Sequence, residues 1–232
     1  MRKEGPSPFA ERAIRSFVQR AGRITRAQER ALEQLWPRFG IDYSPAALDF
    51  DALFGRSAAR VLEIGIGDGE TLLALAAERP DCDFLGVEVH RPGIGHCLLG
   101  IEAAALTNVR LISHDAVEVL QHMIPANSLA EALLYFPDPW PKKRHHKRRI
   151  VQPAFIELLA TRLQPGGCFR LATDWAPYAE HMLEVLRASP SFANVSPTGD
   201  HVPRPPSRPP TKFERRGERL GHEVFDLEYR RK

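Results

Sequence analysis

ARVLEIGIGDG, residues 59–69, decides the fold. ARVLEI reads as a buried strand, and it runs straight into the glycine turn Gly65-Ile66-Gly67-Asp68-Gly69. TLLALAAER follows and reads as a helix stopped by Pro80. Strand, glycine turn and helix in that order open a doubly wound α/β unit, with a ligand crevice at the turn.

The same alternation continues outward. DFLGVEV (83–89), VRLISHD (109–115), EALLYFPDPW (131–140) and CFRLATD (168–174) read as further strands. GHCLLGIEAAAL, AVEVLQHM, IVQPAFIELLATRL and PYAEHMLEVLRAS read as the helices between and after them, the last with Ala179, Met182, Leu183 and Leu186 on one face. QPGG, at 164–167, is a helix stop. Such alternation specifies a parallel sheet covered on both faces. HVPRPPSRPPTKF (201–213) is too proline-rich for regular structure and reads as an extended loop. HEVFDLEYR (222–230) alternates apolar and polar residues and reads as an antiparallel edge strand. The expectation is an α/β, Rossmann-like fold: a mostly parallel, seven-stranded sheet with helices on both faces and an antiparallel C-terminal edge strand. A basic, partly flexible arm over residues 1–40 precedes a single domain over 41–232.

Three carboxylates fall at strand ends beside the turn. Glu63 lies two residues before the first glycine, Glu88 ends the second strand and Asp115 ends the third. A nicotinamide-dependent dehydrogenase also places an acid at the end of its second strand, but its turn cradles a pyrophosphate, usually as GxGxxG. Here the third glycine comes one residue early. An acid at Glu63 would also repel phosphate. S-adenosylmethionine has no phosphate and carries a cationic amine and a sulfonium, so an acidic crevice suits it. On this reading Glu88 takes the ribose hydroxyls and Asp115 the adenine amino group. Glu63, Gly65, Gly67 and Gly69 take the methionine end.

Phe136-Pro137-Asp138-Pro139-Trp140 follows the fourth strand, across the crevice from the glycine turn. Two prolines fix φ and hold the Asp138 carboxylate with little freedom, and Trp140 is placed to stack on a base. PKKRHHKRR (141–149) comes next, with six Lys or Arg, two His and no acid.

That run sits in an otherwise acidic middle of the chain. Residues 1–40 hold nine Lys/Arg against four Asp/Glu, and residues 201–232 hold nine against five. Residues 41–200 hold fourteen against twenty, so the overall +3 is unevenly spread. Basic ends and one basic loop on an acidic domain point to a polyanionic partner met on one face. In 232 residues, 43% hydrophobic and 26% charged, nothing approaches the ~20 apolar residues of a membrane span. The start, MRKEGPSPFA, lacks the apolar stretch of a secretory signal, and a cytoplasmic location is expected. Cys82, Cys97 and Cys168 include no CxxC pair, so buried free thiols are expected, with neither disulfide nor zinc.

FPDPWPKKRHHKRR at 136–149, ATDW at 172–175, RPPTKFERRG at 208–217 and GVEVHRPGIGHCL at 86–98 resemble the bacterial tRNA (guanine-N7)-methyltransferase family. The resemblance runs from about Arg60 to the C-terminus. It implies transfer of a methyl group from S-adenosylmethionine to N7 of guanine 46 in the tRNA variable loop. By motif, Glu63, Glu88, Asp115 and Asp138 would be the cofactor-site acids, with Asp138 also catalytic. Lys142, Asp174, Thr211, Lys212, Phe213 and Glu214 would contact substrate. Arg144, His145, His146, Lys147, Arg148 and Arg149 would meet the RNA. No metal is required and a monomer is expected.

Three alternatives compete. The dehydrogenase is disfavoured by its glycine spacing. A methyltransferase of another nucleic acid, such as a DNA adenine enzyme, would use an Asp-Pro-Pro-aromatic turn, whereas the order here is Pro-Asp-Pro-Trp. A non-catalytic RNA-binding protein would have no need of acids at all three strand ends.

Overall fold

The computed structural model describes residues 16–17, 22–209, 214–215 and 223–232. The strand quoted first, β2 (Ala59–Ile64), lies in the middle of a sheet that has eight strands among the described residues. With β1 (Gly40–Ile41), β3 (Cys82–Val87), β4 (Val109–Ile112), β5 (Leu129–Tyr135), β6 (Leu163–Thr173), β7 (Phe192–Asn194) and β8 (Phe225–Arg231), the order is β1-β4-β3-β2-β5-β6-β8-β7. β1 to β6 are parallel where they pair, whereas β8 runs antiparallel to β6, with Leu227 opposite Leu171. β8 is thus the antiparallel strand that the C-terminal alternation predicted, and the three-residue β7 lies along its outer side. The sheet has one strand more than the expected seven, and the stretches read as strands include neither the three-residue β7 nor β1, whose two residues pair with Leu111 and Ile112. Two residues are too few for a hydrophobic period to show.

Successive strand residues point to opposite faces, and here both faces are dry. Leu62, Leu85 and Ile112 pack on α6 (Ala116–His122), α7 (Pro153–Arg162) and α8 (Ala176–Ala188) through Val119, Phe155 and Met182. Their neighbours Val61, Phe84 and Leu111 pack the other way, on α4 (Glu70–Glu78) and α5 (Arg91–Ala103) through Leu72, Leu75, Ile94 and Leu98. Double burial explains why these strands read as continuous apolar runs rather than alternating ones. The short α3 (Phe50–Phe54) adds Phe50 to the first face.

Part of the stretch expected to be a basic arm belongs to the folded body. Thr25 and Gln28 form a capping box, with Gln28 N donating to Thr25 Oγ1 and Thr25 N to Gln28 Oε1. That box starts α1 (Arg26–Gln34), followed by α2 (Trp36–Phe39). Both pack on the α5 side, burying Ala31 and Phe39. A Cβ at Gly95 of α5 would stand 2.8 Å from Gln28 Cβ, so glycine permits this close helix crossing.

The chain winds β2, β3, β4 in one direction and β5, β6 in the other. The reversal lies between β2 and β5, and the crevice opens at the carboxyl ends of these two strands.

Phe169 is fully buried in the middle of β6, its ring 6.1 Å from that of Phe192. Phe169→Ala is expected to lower unfolding free energy by about 3–5 kcal/mol, read by urea denaturation. A loss below about 1 kcal/mol would contradict this account of the core.

Candidate active site

Gly65, Gly67 and Gly69 have φ of 74, 55 and 83°, left-handed values that favour glycine. Gly69 caps α4 and packs against Cys97, where a Cβ would fall 2.4 Å from Sγ. The turn is tied to β3 by Glu88. Its Oε2 accepts from Gly67 N at 2.8 Å, and its Oε1 accepts from Val89 N and His90 N at 2.7 and 2.9 Å.

Glu63 sits beneath the turn and is only 3% exposed. Its Oε2 has no hydrogen-bond partner among the described residues. Burial, and then the neighbouring Glu88 carboxylate, push its pKa up to about 8. Burial first, and then Glu63, also push the Cys97 thiol of α5 and the Tyr135 phenol of β5 upward.

A cavity of about 250 Å³ opens above this floor. Gly65, Gly67, Glu88 and Asp138 line it together with apolar Ile64, Val87 and Leu134. Asp115 lies in an adjoining cavity of about 270 Å³ that shares Phe17, Val89 and His114 with the first. Asp115 caps α6, its Oδ1 accepting from Val117 N at 2.9 Å. Of the seven residues expected around the cofactor, four therefore line one cavity and Asp115 lines its extension. Glu63 and Gly69 stand behind the wall. His114, stacked on Tyr43 with ring centroids 3.7 Å apart, is a wall residue that sequence reasoning did not single out.

Across the crevice, Phe136 and Trp140 both have positive φ, 51 and 46°. A non-glycine residue in that region is strained, and here two of them bracket the Pro-Asp-Pro segment. Phe136 N still donates to Ala172 O at 2.8 Å, so the turn starts from intact strand pairing. Asp138 is exposed at the cavity mouth. Trp140 Nε1 donates to Ser16 O at 3.1 Å. The Arg148 guanidinium lies 4.8 Å from the centre of the Trp140 ring and His145 meets that ring edge-on, so protein groups already occupy the platform expected for a base.

The basic stretch forms a 3₁₀ helix over Lys143–Arg148 where a loop was expected. Its cations are not equivalent. Lys142, Lys143, Arg144 and Lys147 are exposed, while His145, His146 and Arg148 are half-buried. The His145 imidazole is held below its usual range by desolvation and then by Arg144, Arg148 and Lys142. Arg149 departs from the expectation of an RNA contact because it is turned inward and buried. Its Nε donates to Pro139 O at 2.9 Å, its Nη1 to Pro177 O at 3.4 Å, and its guanidinium stands 4.8 Å from the centre of the Tyr178 ring.

Asp174 is half-buried just beyond β6, beside exposed Trp175. Thr211, Lys212 and Phe213 lie outside the described residues. Glu214 is buried. Both of its oxygens accept from Arg208, at 2.8 Å each, and Arg208 in turn donates to both oxygens of Asp226 on β8. Arg208 was not singled out in the sequence because an arginine among prolines reads as a solvated charge. Among the described residues, no group of three or more His, Cys, Asp and Glu is placed to hold a metal ion, and no helix is long and apolar enough to cross a membrane.

Because the folded chain keeps a proton on Glu63 that the unfolded chain has released, this group makes stability fall as pH rises from 4.5 towards 8. The slope is at most about 1.4 kcal/mol per pH unit. Glu63→Gln is expected to flatten that fall in urea unfolding across the window, and equal slopes in the two proteins would refute the assignment.

A family model described as "Putative methyltransferase" matches residues 57–227. The tRNA (guanine-N(7)-)-methyltransferase of Halorhodospira halophila is 59% identical over 220 residues, covering 94% of this chain and 95% of that protein. The protein of the same name from Escherichia coli K12 is 58% identical, covering 95% and 92%. Among solved structures, the 16S rRNA methyltransferase KamB aligns with a TM-score of 0.53 at 16% identity, covering 78% of this chain and 92% of that one. The antibiotic-resistance methyltransferase Kmr aligns at 0.52 and 16%, covering 84% and 98%. At such identities the structural likeness shows the fold alone. The match over residues 57–227 and the close relatives along nearly the whole chain establish that this protein belongs to the tRNA (guanine-N7)-methyltransferase family.

Proposed function

We propose that this chain methylates N7 of guanine 46 in the variable loop of tRNA, with S-adenosylmethionine as donor. The observation that carries the reading is a cavity lined by the Glu88 and Asp138 carboxylates and opening beside an exposed cationic stretch. The donor supplies an electrophilic methyl group on a sulfonium, and the positive charge passes to the guanine ring.

The residues present fit that donor. Glu88 already neutralises the Gly67 N–H that a pyrophosphate would need, and its remaining lone pairs suit ribose hydroxyls. Asp115 faces the adjoining cavity, where it suits the adenine amino group. Gly65 and Gly67 give the methionine end close access to the backbone. Gly69 supports the turn from behind. Glu63 stands behind the cavity wall, its buried Oε2 without a partner among the described residues, and once ionised it would draw the donor's ammonium to that end of the cavity.

Guanine N7 presents a lone pair and loses no proton, so the protein has to align and stabilise rather than act as a base. Asp138, fixed between two prolines at the cavity mouth, is the carboxylate placed to stabilise charge developing on the ring. Asp138 and Asp174 are also the candidates to accept from guanine N1–H and the exocyclic amine, which would select guanine over adenine. Lys142 binds phosphate or O6. Arg144, Lys147 and Arg148 hold the tRNA backbone, with His145 and His146 beside them, while Arg149 holds the turn. Residues 41–232, with α1, α2 and β1 packed on them, act as one catalytic domain, active as a monomer in the cytoplasm.

Incubating protein, donor and tRNA transcript should yield N7-methylguanine at position 46, mapped by borohydride and aniline cleavage. No product at that position would sink the reading. Asp138→Asn should lower kcat by about 10²–10³-fold with donor affinity retained. Neutralising Lys147 and Arg148 together should flatten the slope of log affinity against log salt by about one unit per lost contact. An unchanged slope would remove this stretch as a phosphate contact.

A further inference from the structure

Two strands that meet at the transfer site, β5 and β8, share one buried guanidinium. Arg208 is 2% exposed. Its Nε and Nη2 donate to Asp226 Oδ1 and Oδ2 at 2.7 and 2.9 Å, and its Nη1 and Nη2 to Glu214 Oε2 and Oε1 at 2.8 Å each. The same group lies 5.8 and 5.7 Å from the ring centres of Tyr135 and Phe136, the last residue of β5 and the first of the strained turn. Asp226 pairs across β8 and β6 with Ala172, which accepts from Phe136 N. Arg204 closes the cluster, donating to Arg208 O at 2.9 Å through Nη2 and standing 3.4 Å from Glu214.

We propose that Arg208 is a positioning residue for methyl transfer. It clips Glu214 to β8 and braces the base of the Asp138 turn, so that the reacting guanine meets a site of fixed shape. The inference rests on the tRNA-methylating reading above. Two features carry it. First, Arg208 and Glu214 are the two ends of the segment RPPTKFE, and their side-chain fork ties those ends together. Second, the other side of the same fork reaches Asp226 while the guanidinium packs against Phe136, two residues before Asp138. One planar group thus couples the carboxylate turn to the segment that the family motif places at substrate. A buried ion cluster is weak evidence for net stability and better suited to fixing one arrangement among several. Lysine, a point charge, cannot make two bidentate forks at once.

The test uses the full chain with Arg208→Ala and Arg208→Lys, tRNA transcript and labelled donor. Both variants should keep donor affinity within about twofold of wild type, while kcat at saturating tRNA falls about tenfold or more. The rate of Arg208→Lys should lie nearer to that of Arg208→Ala than to wild type. Added guanidinium ion should restore part of the rate to Arg208→Ala and leave wild type and Asp138→Asn unchanged, a response that a merely destabilised fold would not give. Wild-type kcat in Arg208→Ala would overturn the role. So would loss of donor affinity in step with rate in both variants, which would make Arg208 a general prop. Wild-type protein run alongside separates the two claims. Absence of N7-methylguanine with wild type overturns the tRNA reading and this inference with it, whereas full activity in the variants overturns this inference alone.

Discussion

A parallel sheet buried on both faces leaves its backbone and chemistry accessible only at the strand ends. Leu62 faces one layer of helices and Val61 the other, so neither face of β2 has room for a ligand. The reversal between β2 and β5 parts the connections at one end and creates the crevice there. Every group proposed to act on donor or guanine is a consequence of that opening. Gly65, Gly67, Glu88 and Asp115 arrive from the β2–β4 side, and Asp138 and Asp174 from the side of β5 and β6.

Electrostatics then divides the opening into two zones. Behind the glycine turn, desolvation dominates and raises Glu63, Cys97 and Tyr135 together. At the rim, solvent leaves Asp138 and the lysines free to meet charged partners. Between the zones lie arginines whose charge is spent internally. Arg149 satisfies the backbone carbonyls of Pro139 and Pro177, and Arg208 satisfies two carboxylates.

How legible this was from sequence follows from the range of the interactions. The strand, turn and helix succession around residues 59–78 depends on local pattern, and the structure reproduces it. The strand-end acids were legible because position in a strand fixes where a side chain emerges. Burial of individual charges was not. Nothing within PKKRHHKRR distinguishes Arg149 from Lys147; the distinction comes from Tyr178 and Pro177, nearly thirty residues away. Arg208 was hidden for the same reason, since Asp226, Tyr135 and Phe136 are distant in the chain. The folding of residues 26–39 turned on a capping box and a glycine in another helix, signals too small to outweigh a basic composition.

The two rims of the sheet have a further consequence. β1 offers two residues and β7 three, so among the described residues neither rim presents a long unpaired row of amides and carbonyls. Exposed strand rims are templates on which other chains add and precipitate. With both rims blunted, crowded copies of this protein have little backbone on which to polymerise.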